Sequence, residues 1–413
     1  MKFFFPDSQD QIGPFFNFES EEHPIHRVRQ RDDLYAHEAL RRTPYDGMLV
    51  SKAIVDGVMD RGSKFTEAQR ERIYRNGAHD FYRLKNRRRH LEIMGDCGAF
   101  TYVEEHEPPY SLEEVIDFYE GAGLDLGVSM DHIVFGYLSD AQKKQGREVE
   151  EDWVRRQALT IQIAADFLKM ARKRRCGFTP LAVAHGWSPE SYQQAVKDLQ
   201  KIGYQRIALG GMVPLRSRDV LDVISATADV RRATTGFHLL GLTRTEFMPK
   251  FANAGVTSFD STSPFRQSFM DNKDNYHTTT TTFVALRVPQ HDGNPALKRR
   301  IQAGEIDQQE AVDAELKCLK ILRAFDAGKA TVGRTVAALR SYEKIYDAKG
   351  ADRSDDYRRT LEASPWKSCK CGICQDVGIE VIIFRGAERN KRRGFHNLSV
   401  FRRRLNRAVN THR

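Results

Sequence analysis

Nothing in this sequence stays apolar long enough to cross a membrane. A spanning helix needs ~20 predominantly apolar residues, and even the β-rich run Val377–Phe384 falls far short of that. Charged residues make up 29% of the chain, which argues against a membrane-embedded class, and no membrane partner is expected. The opening Met1-Lys2-Phe3-Phe4-Phe5-Pro6-Asp7 is too short and turns polar too quickly for a secretory signal, so a cytoplasmic location is expected. Cysteine is scarce, six in 413 residues, yet three of the six crowd into Cys369–Cys374. In a reducing compartment such crowding points to a metal rather than to disulfides. No Gly-x-Gly-x-x-Gly turn follows the first strand, which weakens a dinucleotide-binding reading. No internal repeat is visible beyond an alternation of strands and helices. Residues 1–45 are polar with little periodicity and find no place in that alternation.

What is present suits a large soluble enzyme. Hydrophobic residues form 40% of the chain, enough for a sizeable core, and the net charge of +9 favours polyanionic partners. From residue 46 short apolar runs alternate with helical patterns. Strands are expected at 47–51, 91–94, 126–130, 181–184, 206–209, 237–240 and 256–259. Between them lie a long polar helix from Thr66 to Arg89, a capping box at Ser111-Leu112-Glu113-Glu114, a helix from Asp152 to Arg174, and a helix opened by Ser188-Pro189 and closed by Gly203. Pro249 casts doubt on a helix near Phe247–Ala254. Repeated βα units predict a parallel sheet, and seven strands by residue 260 suit a closed barrel, with a doubly wound sheet as the alternative. The expected division is an N-terminal segment over 1–45, a barrel over 46–365, and a zinc-binding, arginine-rich part over 366–413, with Val377–Phe384 as a β run within it.

Three groups of residues carry chemistry. Cys369-x-Cys371-x2-Cys374 together with His396 supplies three thiolates and one imidazole, the tetrahedral set that structural zinc favours. A hairpin after Cys374 would bring His396 back to the thiols. Asp96, Asp131 and Asp260 each follow an apolar run; in a barrel such positions gather at one mouth, where they can serve as nucleophile, acid/base and recognition group. Gly98, Gly210, Gly211 and Gly241 mark the same strand ends and permit close backbone approach to a ligand. Arg83–Arg89 and Arg385–Arg407 form basic stretches able to follow phosphates.

Taken in order, these motifs resemble those of the queuine and archaeosine tRNA-guanine transglycosylase superfamily. The cysteine cluster with His396-Asn397-Leu398 resembles its zinc subdomain, and Asp96-Cys97-Gly98-Ala99-Phe100 its Asp-Ser-Gly-Gly-aromatic motif. Ser129-Met130-Asp131 resembles the segment whose aspartate reads the purine edge, Leu209-Gly210-Gly211-Met212 the Gly-Gly-Leu loop, and Leu239-Leu240-Gly241 the opposite pocket wall. Phe259-Asp260 through Pro264-Phe265-Arg266 resembles the segment carrying the nucleophile. The resemblance spans about residues 45 to 405. It implies an irregular (β/α)8 barrel of the α/β class with an attached zinc-binding subdomain. It also implies Asp260 as nucleophile, Asp96 as general acid/base, and Phe100, Asp131, His185, Gly210, Gly211, Leu240 and Gly241 around the base. His185-Gly186 stands where the tRNA enzymes have Gln-Gly, the stretch after Arg266 differs, and the first 45 residues are foreign to the family. These departures resemble the DpdA-type DNA-guanine transglycosylase branch, which implies exchange of guanine in DNA for a 7-deazaguanine such as preQ0, with partner proteins that open the duplex. Action on tRNA, a non-catalytic nucleic-acid-binding subunit and a metal-dependent barrel hydrolase are the alternatives.

Overall fold

The computed structural model describes residues 1–58, 62–84 and 91–410. Eight parallel strands close into a barrel: β1 Lys2–Pro6, β2 Gly47–Ser51, β3 Glu92–Asp96, β4 Leu126–Val128, β5 Thr179–Ala184, β6 Arg206–Leu209, β7 Gly236–Leu239 and β8 Val256–Asp260. The seven expected strands are all there, and the closed sheet excludes the doubly wound alternative. The eighth strand is β1, within the segment that the sequence left unplaced. Phe4 lies opposite Gly47 of β2 on one side and opposite Asp260 of β8 on the other, so β1 is the seam that closes the barrel. Its Phe3-Phe4-Phe5 run is buried throughout. A parallel strand covered on both faces shows no alternation, which is why it carries no periodic signal. Inside the barrel Phe4, Leu49, Met94, Leu126, Val128, Leu181, Val183 and Ala208 pack as one cluster. Burying each of the larger of these side chains contributes roughly 1.5–3 kcal/mol.

The chain separates into two compact units, and neither follows the expected boundaries at 45 and 365. The first comprises Met1–Gln9, Tyr45–Thr262 and Leu405–Arg413; the second comprises Asp10–Pro44 and Ser263–Arg404. The barrel thus starts at residue 2 and its last strand ends at residue 260. The cysteine cluster is one part of a larger body that also takes in residues 10–44.

Local chemistry explains most element ends. Ser111 Oγ accepts from the Glu114 amide (3.2 Å) and the Glu114 carboxylate accepts from the Ser111 amide (2.7 Å), as the capping box requires. Ser188 caps the helix Pro189–Ile202, and Gly203 ends it with φ of 115°. The long helix expected from Thr66 stops at Asn76, because Gly77 adopts φ of 80°; a short helix Ala78–Phe81 follows, and residues 85–90 lie outside the described residues. Pro249 does not prevent a helix at Met248–Asn253, since it occupies the first turn, where no amide donor is needed.

Within the second unit, β9 Tyr276–His277 pairs with β10 Thr282–Phe283, and β11 Leu286–Arg287 with β12 Ile383–Phe384. The expected β run Val377–Phe384 is therefore mostly a 3-10 turn, Gly378–Val381, with only two residues of strand. No hairpin carries His396: it sits on the helix Gly386–Asn410. Several arginines of that helix are buried. Arg389 pairs with Glu21 and Glu380, Arg392 with Glu388, and Arg393 donates to the carbonyls of Ser268, Val381 and Ile383. The Arg389 and Arg392 guanidinium groups lie 4.9 and 5.0 Å from the Phe18 ring. Arg385 and Arg389 with Glu21, and Arg392 with the Gly13 carbonyl, link residues 10–44 to this helix. No described helix is long and apolar enough to cross a membrane.

Candidate active site and metal centre

Parallel strands end on one rim of a barrel, and the sequence-predicted residues of the first unit all lie there. Asp96 ends β3 and Asp260 ends β8; Asp131 follows β4, His185 follows β5, Gly210-Gly211 follow β6, and Leu240-Gly241 follow β7. Phe100 lies in a 3-10 turn after β3 and is 61% exposed, with its ring 5.7 Å from Phe135. Gly98 takes φ of 88°, and a Cβ there would lie 2.4 Å from that of Ala53, so only glycine suits this turn. A Cβ on Gly210 would lie 2.5 Å from His185 Cε1, so the backbone at this point presses against the imidazole.

The three carboxylates have different surroundings. Asp96 keeps some solvent access at the rim. Burial by the surrounding protein, then the charges of Asp131 and Asp260, raise its pKa to about 7. Its Oδ2 accepts from the Gly98 amide (3.0 Å). Asp131 is buried and hydrogen-bonds His185 Nε2 at 2.7 Å. Its other oxygen accepts from Cys97 Sγ at 3.5 Å, and Cys97 in turn contacts the Tyr102 hydroxyl at 3.0 Å. Burial, reinforced by Asp131 and Asp96, pushes the Cys97 thiol up, so it remains a protonated donor. Asp260 accepts on Oδ1 from the Gly241 amide (2.9 Å) and from His238 Nε2 (3.1 Å). The rim thus carries one carboxyl, Asp96, whose pKa is raised, and another, Asp260, held in place by two N–H donors. His185 Nδ1 is buried with no hydrogen-bond partner among the described residues.

In the second unit, Cys369, Cys371, Cys374 and His396 bring their ligand atoms within 4.8 Å of one another. His396 Nδ1 stands 3.5, 3.5 and 3.2 Å from the three sulfurs. Metal–sulfur bonds of ~2.3 Å and a metal–nitrogen bond of ~2.0 Å give a tetrahedral edge of about 3.5 Å, so the donors fit a single ion. His396 Nε2 donates to the His277 carbonyl (2.7 Å), which leaves Nδ1 free to ligate, and Tyr276 stacks on the imidazole at 4.0 Å. Asn397 clasps the same loop: it accepts from the His277 amide and donates to the Asn275 carbonyl.

The scan against protein-family models finds no match. Among curated proteins, a DNA-guanine transglycosylase of Salmonella montevideo is 48% identical over 408 residues, covering 98% of this chain and 96% of that protein. This chain belongs to the DNA-guanine transglycosylase branch. It is accordingly an enzyme of the guanine transglycosylase kind. A tRNA-guanine(15) transglycosylase of Thermococcus onnurineus (strain NA1) is similar over a shorter stretch, 25% identical across 41% of this chain and 28% of its own length.

Sequence reasoning missed three residues of the transglycosylase's barrel mouth. His238 is the most important; a histidine inside the otherwise apolar strand Gly236–Leu239 was the available signal. Cys97, which supports Asp131, entered only as a place in the Asp96–Phe100 motif with no role of its own, and Tyr102 carries no spacing that distinguishes it from core residues. The basic stretches also need revision. Arg385, Arg389, Arg392 and Arg393 are buried and bonded inside the protein, so they cannot follow phosphates. Of Arg83–Arg89 only residues 83 and 84 lie within the described residues.

Proposed function

We propose that this enzyme exchanges guanine in DNA for a 7-deazaguanine base such as preQ0 through a covalent aspartyl–DNA intermediate. The observation that carries the DNA assignment is the full-length similarity to a DNA-guanine transglycosylase, against a partial match to a tRNA enzyme. A carboxylate of Asp260 attacks the anomeric carbon from the face opposite the base. The bond to guanine breaks, and its electron pair leaves with the base as Asp96 gives up its proton. The incoming base then returns a proton to Asp96, and its ring nitrogen displaces Asp260, so the strand is never cut and the configuration is retained. A proton held to about pH 7 on Asp96 suits both halves of this cycle.

Phe100 stacks on the base, Leu240 and Gly241 form the facing wall, and Asp131 with His185 reads the polar edge over Gly210-Gly211. The unpartnered Nδ1 of His185 supports that role. Zinc is the ion the Cys3His set suits; bound there it is structural and takes no part in the exchange. The reaction belongs in the cytoplasm, where the DNA is. Extruding a paired base costs a few kcal/mol, which partner proteins that open the duplex would offset. A non-catalytic role is disfavoured by the presence of both Asp96 and Asp260 at one rim.

Labelled-guanine exchange on DNA and tRNA side by side tests the reading, together with nucleoside analysis of a preQ0-making cell with and without the gene. Modified deoxyguanosine appearing only with the gene is expected. Modification confined to tRNA would reject the DNA assignment.

A further inference from the structure

Asp260 is held by one of its two oxygens. Both of its donors, the Gly241 amide and His238 Nε2, converge on Oδ1, and Oδ2 meets no donor among the described residues. The histidine is itself constrained. His238 lies opposite Ser258 in the β7–β8 register, and Ser258 Oγ is 2.9 Å from its Nδ1. A hydroxyl proton given to Nδ1 leaves the ring hydrogen on Nε2, where it points at Asp260; this tautomer is assigned from the network. The imidazole is buried, with the Phe4 ring edge-on at 6.0 Å, so it has little freedom to turn away.

We propose that His238 is a positioning residue for the exchange: it holds Oδ1 so that Oδ2 is the oxygen that attacks, and it shares the carboxylate charge whenever the sugar–Asp260 bond breaks. This rests on the reading of Asp260 as nucleophile. In the forward step Oδ2 bonds to the anomeric carbon as the bond to guanine breaks, and Oδ1 becomes the ester carbonyl oxygen. In the return step the carbon–Oδ2 bond breaks, and its electron pair restores a carboxylate stabilised by the His238 and Gly241 N–H groups. No proton passes to His238. Without this hold the carboxylate drifts from its line of attack, and a misplacement of about 1 Å costs on the order of 10²-fold in rate; with Gly241 still in place, tenfold to hundredfold is expected for the attack that forms the adduct.

The matched variants H238Q and H238N test this. A glutamine amide nitrogen reaches the place of Nε2, whereas an asparagine amide reaches only the place of Nδ1. Single-turnover formation of the covalent protein–DNA adduct, DNA affinity and melting temperature are measured for both. H238Q should stay within about threefold of native, and H238N, which leaves Oδ2 poorly aimed, should form adduct tenfold to hundredfold more slowly with unchanged DNA affinity. Equal rates for H238N and native protein, or an H238Q as slow as H238N, would overturn the assignment. Native protein that forms no adduct, or one that survives in D260A, would overturn the nucleophile reading and this inference with it. An adduct lost in D260A but insensitive to H238N sinks only the present inference.

Discussion

Asp96, within a cluster of three carboxyls, ties the proposed reaction to pH. Its acid form is favoured because the protein around it solvates charge poorly and because Asp131 and Asp260 repel a third negative charge. The raised value keeps the proton in place below about pH 7, and the proton is lost as pH rises through that value. Departure of guanine needs the acid form. Single-turnover adduct formation should therefore fall above an apparent midpoint near 7, a value that belongs to the three-carboxylate cluster rather than to one residue. D96N should slow the step by about 10²–10⁴-fold and abolish this limb. A limb that persists in D96N would assign the proton to another group. The sequence made Asp96 a candidate through its strand-end position, but its altered acidity depends on two aspartates from other strands, 35 and 164 positions away in the chain.

At the scale of elements, the helix Gly386–Asn410 shows how one stretch of sequence can be misread. Its many arginines look like a phosphate-tracking face, yet Arg393 is fully buried and donates to three main-chain carbonyls. Removing the guanidinium leaves those acceptors unpaired at about 1–3 kcal/mol each. R393A should lower unfolding free energy by about 3–5 kcal/mol in chemical denaturation, whereas R358A, at an exposed position of the helix Ser354–Ala363, should change it by less than about 0.5 kcal/mol. Equal effects would mean that the buried network contributes little. The Cys3His cluster reaches the same helix through His396. One zinc per chain is expected, and chelation or C374A should unfold the second unit at a lower temperature, since binding energy at such sites is folding energy. Well-folded protein lacking zinc in metal analysis would refute this. Here the clustering of the three cysteines was legible from spacing, because residues two and three positions apart must lie close together. The route by which His396 reaches them was not, since a helix and a hairpin both satisfy the spacing.

At the scale of the whole molecule, the barrel depends on its first strand. β1 bonds both β2 and β8, and its residue Phe4 stands opposite the proposed nucleophile. Deleting residues 1–6 exposes two strand edges and opens the interior cluster that Phe4 fills. Such a truncation should be recovered as aggregate or, if soluble, should show no exchange and no cooperative melting. A soluble, cooperatively folded truncation with native exchange would show that closure is dispensable.

The sequence by itself determined the βα alternation, the crowding of three cysteines and the three aspartates at strand ends. These depend on residue type and on spacing of a few positions, which local geometry translates directly into place. Only the tertiary structure decided that Phe3-Phe4-Phe5 closes the barrel, that His238 grips Asp260, that His185 pairs with Asp131, and that half of the arginine-rich tail is internal. Each of those depends on partners far apart in the chain, and no local periodicity records a contact made across a closed sheet.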